Sequence, residues 1–337
     1  MAIEKARRSV AKFLDCSNEQ IIFNSGSTEG ISSVFLHTYF KYKETDRNII
    51  LISDTEHAAP LNEAKFLEGF GFKSIFIPTL NSGEIDFNFL KEQIHQQGDK
   101  IALTAVMAAN NETGVIQPYK NISKLCAEKN IPYLCDTTQI LGKADFSFKD
   151  CGADYITLSG HKLGALPGVG ALIIKDPANF VPTIHGGNQE NGLRGGTQNY
   201  VGIETIGVAV QELMESSDCH DKVLKLRDNF EHKILEAFPQ INIFGKSVER
   251  ICNTSFLSLP GSSASDIQDE LQLKKIYVTT SSACSDQNGK TSRILNLMGV
   301  NEHNSSGAVR ISFCSSNSSE DYDFIFNTLC EIFEKIK

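Results

Sequence analysis

Between residues 20 and 175 the chain alternates short β-branched runs with helix-length amphipathic stretches, and few folds accommodate that rhythm. Segments 20–23, 48–52, 72–77, 101–107, 131–135 and 154–158 read as strands, with 170–175 as a further one. Segments 31–40, 60–69, 87–97 and 122–129 read as the intervening helices. Short apolar strands bounded by turn residues and spaced by helices predict an α/β fold: a mainly parallel sheet covered on both faces. Right-handed crossovers then set the loops that follow the strands along one sheet edge, where open α/β sheets bind ligands. Gly26, His57, Asn111, Asp136 and Lys162 each fall just after a predicted strand.

Beyond residue 203 the rhythm changes. Segments 204–216 and 222–238 read as long helices, 241–244, 254–257 and 309–313 as short strands, and 319–333 as a capped terminal helix. The expected division is a large domain over 13–202 and a smaller α+β domain over 203–337, with residues 1–12 a helix packing near the smaller one.

A formal net charge of −9 argues against a nucleic-acid binder, which needs a basic surface to neutralise phosphates. No apolar run approaches the length that spans a bilayer, and the first residues lack the apolar core of a secretory signal. Nine cysteines occur without a Cys-x-x-Cys pair. That spacing is poor for zinc, and an odd count in an unsignalled chain points to reduced, cytoplasmic thiols, most of them small core hydrophobes.

The chemistry concentrates at the strand ends. Lys162 lies where segment 154–158 breaks into a glycine-rich loop, directly after His161, and offers an amine to an aldehyde. Asp136 closes an earlier strand and offers a carboxylate to a pyridinium nitrogen. Ser25-Gly-Ser-Thr-Glu (25–29) opens a helix, whose first amides and hydroxyls suit a phosphate. Together these are the demands of pyridoxal 5'-phosphate. Each group also has a plainer reading when taken singly. Asp136 can cap a turn, the serine–glycine turn can cap a helix, and His57 can be a structural loop histidine. Gln139 either meets the cofactor's phenolic oxygen or caps a helix. Two further matches carry no function: Gly289-Lys290-Thr291 lacks the earlier glycine of a P-loop, where Cys284 stands, and Arg194-Gly-Gly is solitary in an acidic chain.

Eight motifs follow in order: Ser-Gly-Ser-Thr-Glu (25–29), Thr-Glu-His (55–57), Asn-Asn-Glu-Thr-Gly (110–114), Asp-Thr-Thr-Gln (136–139), Ser-Gly-His-Lys (159–162), Gly-Leu-Arg-Gly-Gly-Thr (192–197), Ser-Ser-Ala-Cys (281–284) and Val-Arg-Ile-Ser (309–312). From about residue 5 to its end the chain resembles the NifS/IscS-like cysteine desulfurases, within the class V aminotransferases of PLP-dependent fold type I. The resemblance implies that Lys162 carries the cofactor and that His57 stacks on its ring and assists proton transfer. It implies that Ser27, Thr28, Ser159 and His161 hold the phosphate, Asn111 and Gln139 the phenolic oxygen, and Asp136 the ring nitrogen. Asn111 and Arg310 would meet the substrate, Arg310 through its carboxylate. Thr197 resembles a residue that reaches the neighbouring subunit's phosphate, which implies a homodimer with shared sites.

Cys284 decides the implied reaction: L-cysteine becomes L-alanine, and the sulfur stays on Cys284 as a persulfide for an acceptor such as an iron–sulfur scaffold. Its polar surroundings suit an exposed loop, although read alone it is also a surface cysteine without a role. Selenocysteine lysis or another β-elimination is the alternative that leaves Cys284 unused. Family members begin with a further segment of several tens of residues that helps enclose the substrate, and Met1 falls inside the helix that follows it. A PLP-binding but catalytically weak interaction protein is the third expectation on that ground. Ser27 stands where the family usually has alanine.

Overall fold

The computed structural model describes residues 2–216, 219–280 and 292–336. Two compact units divide the chain. The first comprises Met1–Pro78, Ile85–Ala109 and Gln117–Ser217; the second comprises Thr79–Glu84, Asn110–Ile116 and Asp218–Lys337.

The first unit contains a seven-stranded sheet built from β1 (Ile21–Asn24), β2 (Ile49–Ser53), β3 (Lys73–Ile77), β4 (Ile101–Ala105), β5 (Tyr133–Asp136), β6 (Tyr155–Ser159) and β7 (Gly170–Ile174). The spatial order is β1-β7-β6-β5-β4-β2-β3. Neighbours pair in parallel from β6 to β3, and β7 runs antiparallel to both β6 and β1. Six strands therefore end on the same edge, and β7 alone opposes them. The expected mainly parallel sheet stands, with segment 170–175 as its one reversed strand.

The helices of this unit are α1 (Ala2–Leu14), α2 (Ser27–Tyr42), α3 (Ala58–Glu68), α4 (Phe87–Gln97), α5 (Tyr119–Glu128), α6 (Phe148–Cys151) and α7 (Tyr200–Glu215). Strands β1, β2, β4 and β5 are buried along their whole length, as β-branched runs without alternation require. β3 lies at the sheet edge and exposes Lys73 and Phe76. Val34 and Phe35 of α2 pack on Ile50 and Ile52 of β2 and on Leu134 and Leu172 in one buried cluster.

The expected boundary at residue 203 falls inside α7, and residues 1–12 do not group with the smaller unit. α1 packs on α7, with Ala6, Val10 and Leu14 buried. An ion pair pins it further. Arg7 is bidentate to Glu190 at 2.8 and 3.0 Å, and Arg7 also donates to the Ile21 carbonyl at 2.6 Å. Glu190 additionally accepts the Phe23 amide at 2.9 Å and the Gln198 side-chain amide. The apolar face of residues 1–12 alone could not indicate which partner these contacts select.

The second unit has a three-stranded antiparallel sheet of β8 (Asn242–Ile243), β9 (Thr254–Ser258) and β10 (Ala308–Ser312), in the order β10-β9-β8. Its helices are α8 (Cys219–Ala237), α9 (Ala264–Leu273), α10 (Arg293–Leu297), α11 (Glu302–Ser305) and α12 (Ser319–Ile336). Phe230, Ile234, Leu257, Val309, Leu329 and Phe333 form its core. Arg250 and Glu231 make a buried bidentate pair at 2.9 and 2.7 Å, with both side chains under 5% exposed.

Candidate active site at the sheet edge

Four of the five singled-out positions follow parallel strands of the first unit: Gly26 after β1, His57 after β2, Asp136 at the end of β5 and Lys162 after β6. The common strand direction brings these ends to one edge. Asn111, expected with them, lies in the segment that belongs to the second unit.

Gly26 makes the first turn possible. Its φ of +147° lies where side chains are strained, and α2 starts at the next residue. Gly170 on β7 sits beneath it. A methyl group there would lie 2.6 Å from the Gly26 Cα and 2.3 Å from the Leu158 carbonyl oxygen. That close passage sets the α2 N-terminus over the sheet edge, and a methyl group at Gly26 would meet the Ser159 hydroxyl at 3.7 Å. Among the described residues no side chain caps α2, so its first amides suit an anion. Thr28 is exposed at this end. Glu29 would repel an anion, but Arg194 pairs with it at 2.9 Å and holds its carboxyl below the usual range against the opposing effect of burial. Arg194, set aside in the sequence as a solitary motif, thus neutralises this helix end.

Asp136 is 8% exposed. Its Oδ1 accepts three hydrogen bonds, from the Thr138 amide at 2.9 Å, the Thr138 hydroxyl at 2.5 Å and the Thr157 hydroxyl at 2.9 Å. Among the described residues none donates to Oδ2. One carboxylate oxygen is thereby saturated and the other is presented. Sequence reasoning missed both threonines as partners. A Thr two residues after a strand-end Asp is a local signal for such a turn, whereas Thr157 comes from the neighbouring strand and left none.

His161 and Lys162 close the 3₁₀ turn Gly160–Lys162, and both are exposed. Partial desolvation, with the nearby ammonium groups of Lys162 and Lys143, lowers the His161 pKa. His57 is the N-cap of α3, where its Nδ1 accepts the Ala59 amide at 3.2 Å. An accepting Nδ1 puts the ring proton on Nε2 and fixes the ring's orientation. The buried Glu56 carboxylate accepts the Met107 amide and anchors this loop. Gln139 caps no helix; its Oε1 accepts from the Lys143 ammonium at 2.9 Å. Ser27 is buried with its hydroxyl turned to Thr138, and Thr197 is exposed. The sheet edge thus assembles a helix N-terminus suited to an anion, a fixed carboxylate and an exposed lysine. No cluster suited to a metal ion occurs among the described residues.

In the second unit Asn110 Oδ1 accepts the Glu112 and Thr113 amides at 2.9 and 3.0 Å and folds 110–114 into a tight turn. The turn presents the Asn111 carbonyl to Arg310 Nη1 at 2.6 Å. Arg310 Nε is buried with no hydrogen-bond partner among the described residues. Burial lowers the Arg310 pKa and Glu112 opposes the shift. Burial raises the pKa of Glu112 itself, opposed by a 2.6 Å hydrogen bond from Ser292 and by Arg310 and Arg293. Cys284 lies outside the described residues. Of the other cysteines, Cys126, Cys135, Cys151 and Cys252 are buried thiols, as expected of small core residues, and Cys314 is exposed.

Comparison with known proteins agrees with this architecture. The chain is 32% identical to the cysteine desulfurase IscS of Clostridium botulinum strain Hall over 337 residues, covering 99% of this chain and 84% of that protein. A solved NifS-like protein superposes with a TM-score of 0.89 at 31% identity, covering 99% of this chain and 87% of the other. The structure of SspA in complex with cysteine gives a TM-score of 0.79 at 28% identity, over 93% of this chain and 86% of that one. Residues 1–325 match the aminotransferase class-V family, and the chain belongs to that family.

Proposed function

We propose that this chain is a pyridoxal-phosphate-dependent cysteine desulfurase, which converts L-cysteine to L-alanine and leaves the sulfur on Cys284 for an acceptor. The observation that carries the reading is Asp136, saturated at Oδ1 and open at Oδ2, at the same sheet edge as Lys162 and the uncapped start of α2. These groups fit the cofactor. Oδ2 suits a pyridinium N–H, the first amides of α2 with Thr28, Ser159 and His161 suit the phosphate, and the exposed Lys162 amine suits the aldehyde. Cysteine desulfurases among the relatives support the same activity.

When bound, the cofactor supplies an electron sink that acidifies the substrate's Cα–H. The chain's own groups do the rest. Lys162 Nζ would take and return that proton. The His57 ring would stack on the cofactor and assist the transfer. Asn111 and Gln139 would hold the phenolic oxygen, and the planar Arg310 guanidinium would take the substrate carboxylate. The Cys284 thiolate attacks the substrate sulfur. An S–S bond forms, the C–S bond breaks, and its electron pair stays on carbon, which is protonated to give alanine. Sulfide appears when a thiol reduces the persulfide.

The working form is proposed as a cytoplasmic homodimer in which Thr197 reaches the partner subunit's phosphate, with an iron–sulfur scaffold as acceptor. No described helix is long and apolar enough to cross a membrane. The test is an absorbance titration with pyridoxal phosphate, followed by alanine and sulfide assays with L-cysteine and a thiol. Stoichiometric alanine that disappears in Cys284→Ala is the expected result. Pyruvate and ammonia formed from L-cysteine in that variant would instead indicate a β-eliminating enzyme, and alanine released from selenocysteine by that variant a selenocysteine-cleaving one.

A further inference from the structure

We infer that Ser27 and Thr138 form a one-way hydroxyl relay that fixes Asp136 before any cofactor arrives, making both of them positioning residues for the ring-nitrogen carboxylate. The inference rests on the pyridoxal-phosphate reading above. The Thr138 hydroxyl lies 2.5 Å from Asp136 Oδ1 and donates to it. A hydroxyl has a single proton. At the 2.6 Å contact between Ser27 Oγ and Thr138 Oγ1, Thr138 therefore accepts and Ser27 donates. The chain of donors runs from Ser27 to Thr138 to Asp136.

Its placement gives the relay a purpose. Ser27 is the first residue of α2, at the end that offers amides to the phosphate, while Asp136 closes β5 and would meet the ring nitrogen. Thr157 on β6 adds a third donor to Oδ1. The turn after β5 and strand β6 thus meet one carboxylate oxygen directly, α2 joins through Thr138, and the other oxygen is oriented by them. A carboxylate held by three donors loses little rotational freedom when a ligand binds, which is how preorganisation raises affinity. The link also ties the spacing between the two ends of the cofactor site to hydrogen bonds rather than to packing alone. Ser27 thus stands at the anion end by its place in α2 and acts on the carboxylate through Thr138.

The test compares wild type with Ser27→Ala, Thr138→Val, the double variant and Thr138→Ser, each prepared as apoprotein and titrated with pyridoxal phosphate. Dissociation constants come from the visible absorption band, and thermal unfolding of each apoprotein controls for folding. Losing a hydrogen bond to a charged group predicts affinity about tenfold weaker in Thr138→Val, and about threefold weaker in Ser27→Ala, which acts one step removed. Because Ser27 acts through Thr138, the double variant should match Thr138→Val, and Thr138→Ser should recover most of the affinity. Losses that multiply in the double variant, or wild-type affinity in Thr138→Val, would overturn the relay. So would Ser27→Ala with unchanged affinity, a variant that keeps the test decisive if Thr138→Val fails to fold. A wild-type protein that shows no visible band defeats the pyridoxal-phosphate reading and the relay with it, whereas a normal band with indifferent variants defeats the relay alone.

Discussion

The two units prepare their functional groups in different ways. In the first, parallel strands deliver side chains to a common edge, and the groups that matter are exposed or half-satisfied: the Lys162 amine, Oδ2 of Asp136, and the uncapped α2 amides. In the second, a turn built on Asn110 and the antiparallel strand β10 bring a backbone carbonyl against Arg310, whose Nε stays buried without a described partner. The first arrangement leaves room for a ligand on a rigid frame. The second keeps a cation partly desolvated, where water screens its charge weakly. A sheet edge exposes what it positions, whereas a packed turn stores it.

The contrast breaks most sharply at Lys162. Lys162→Ala should lower alanine production about 10³-fold or more, as for loss of a central acid–base group, while the thermal midpoint changes little because the side chain is exposed. A large drop in the thermal midpoint of that variant would show the lysine to be structural. Next come the buried ion pairs, one per unit. Glu231→Ala strands Arg250 and should destabilise by about 3–5 kcal/mol, whereas Glu190→Ala leaves Arg7 with the half-exposed Glu4 at 3.0 Å and should cost less. Denaturant unfolding followed by hydrogen exchange should localise the first loss to the second unit and the second to α1 and β1. Loss spread over both units in each variant would mean that the units do not unfold separately.

Arg310→Lys sharpens the comparison on the second unit's side. It keeps the charge but removes the planar fork, so KM for L-cysteine should rise about tenfold to a hundredfold, equivalent to about 1.5–3 kcal/mol, with cofactor affinity unchanged. An unaltered KM would remove Arg310 from the substrate site. A further test concerns pH. His37, on α2, stacks on Phe180 at 4.6 Å and lies edge-on to Tyr155, and its Nδ1 accepts the Val181 amide at 3.0 Å. Burial, helped by the Lys41 charge, pulls its pKa from 6.5 to about 4. The unfolded chain therefore binds the extra proton between pH 6.5 and pH 4. The stabilisation is complete above the unfolded value and declines as pH falls through this window, by about 2–3 kcal/mol at most. Urea midpoints of wild type and His37→Gln at pH 7.5 and pH 4.5 should converge towards acid. A constant gap would exclude His37 as the titrating group.

Much of the first unit is legible in the chain because each strand announces itself locally. The buried runs Ile49–Ser53 and Ile101–Ala105 cannot alternate, so periodicity and β-branching locate them without knowledge of their neighbours. The candidate positions at the strand ends stand out for the same reason, since a strand end followed by Gly or Asp is a local pattern. The reversed direction of β7 is not local, because parallel and antiparallel runs share the same composition. The partner of α1 is equally hidden. Its apolar face fits either domain, and the choice falls to Arg7 finding Glu190, separated by 183 positions in the chain.

The amino-acid sequence by itself determined the alternating elements, the family and the types of chemical group at the strand ends, because these depend on local propensity and on motif order. Only the tertiary structure decided that Thr157 and Ser27 converge on Asp136, directly and through Thr138, that Arg194 neutralises Glu29, and that α1 belongs with α7. Those outcomes rest on hydrogen bonds and charge pairs between residues far apart in the chain. Which partner meets a given polar group is set by the geometry that the packed core imposes, and no local pattern carries that information.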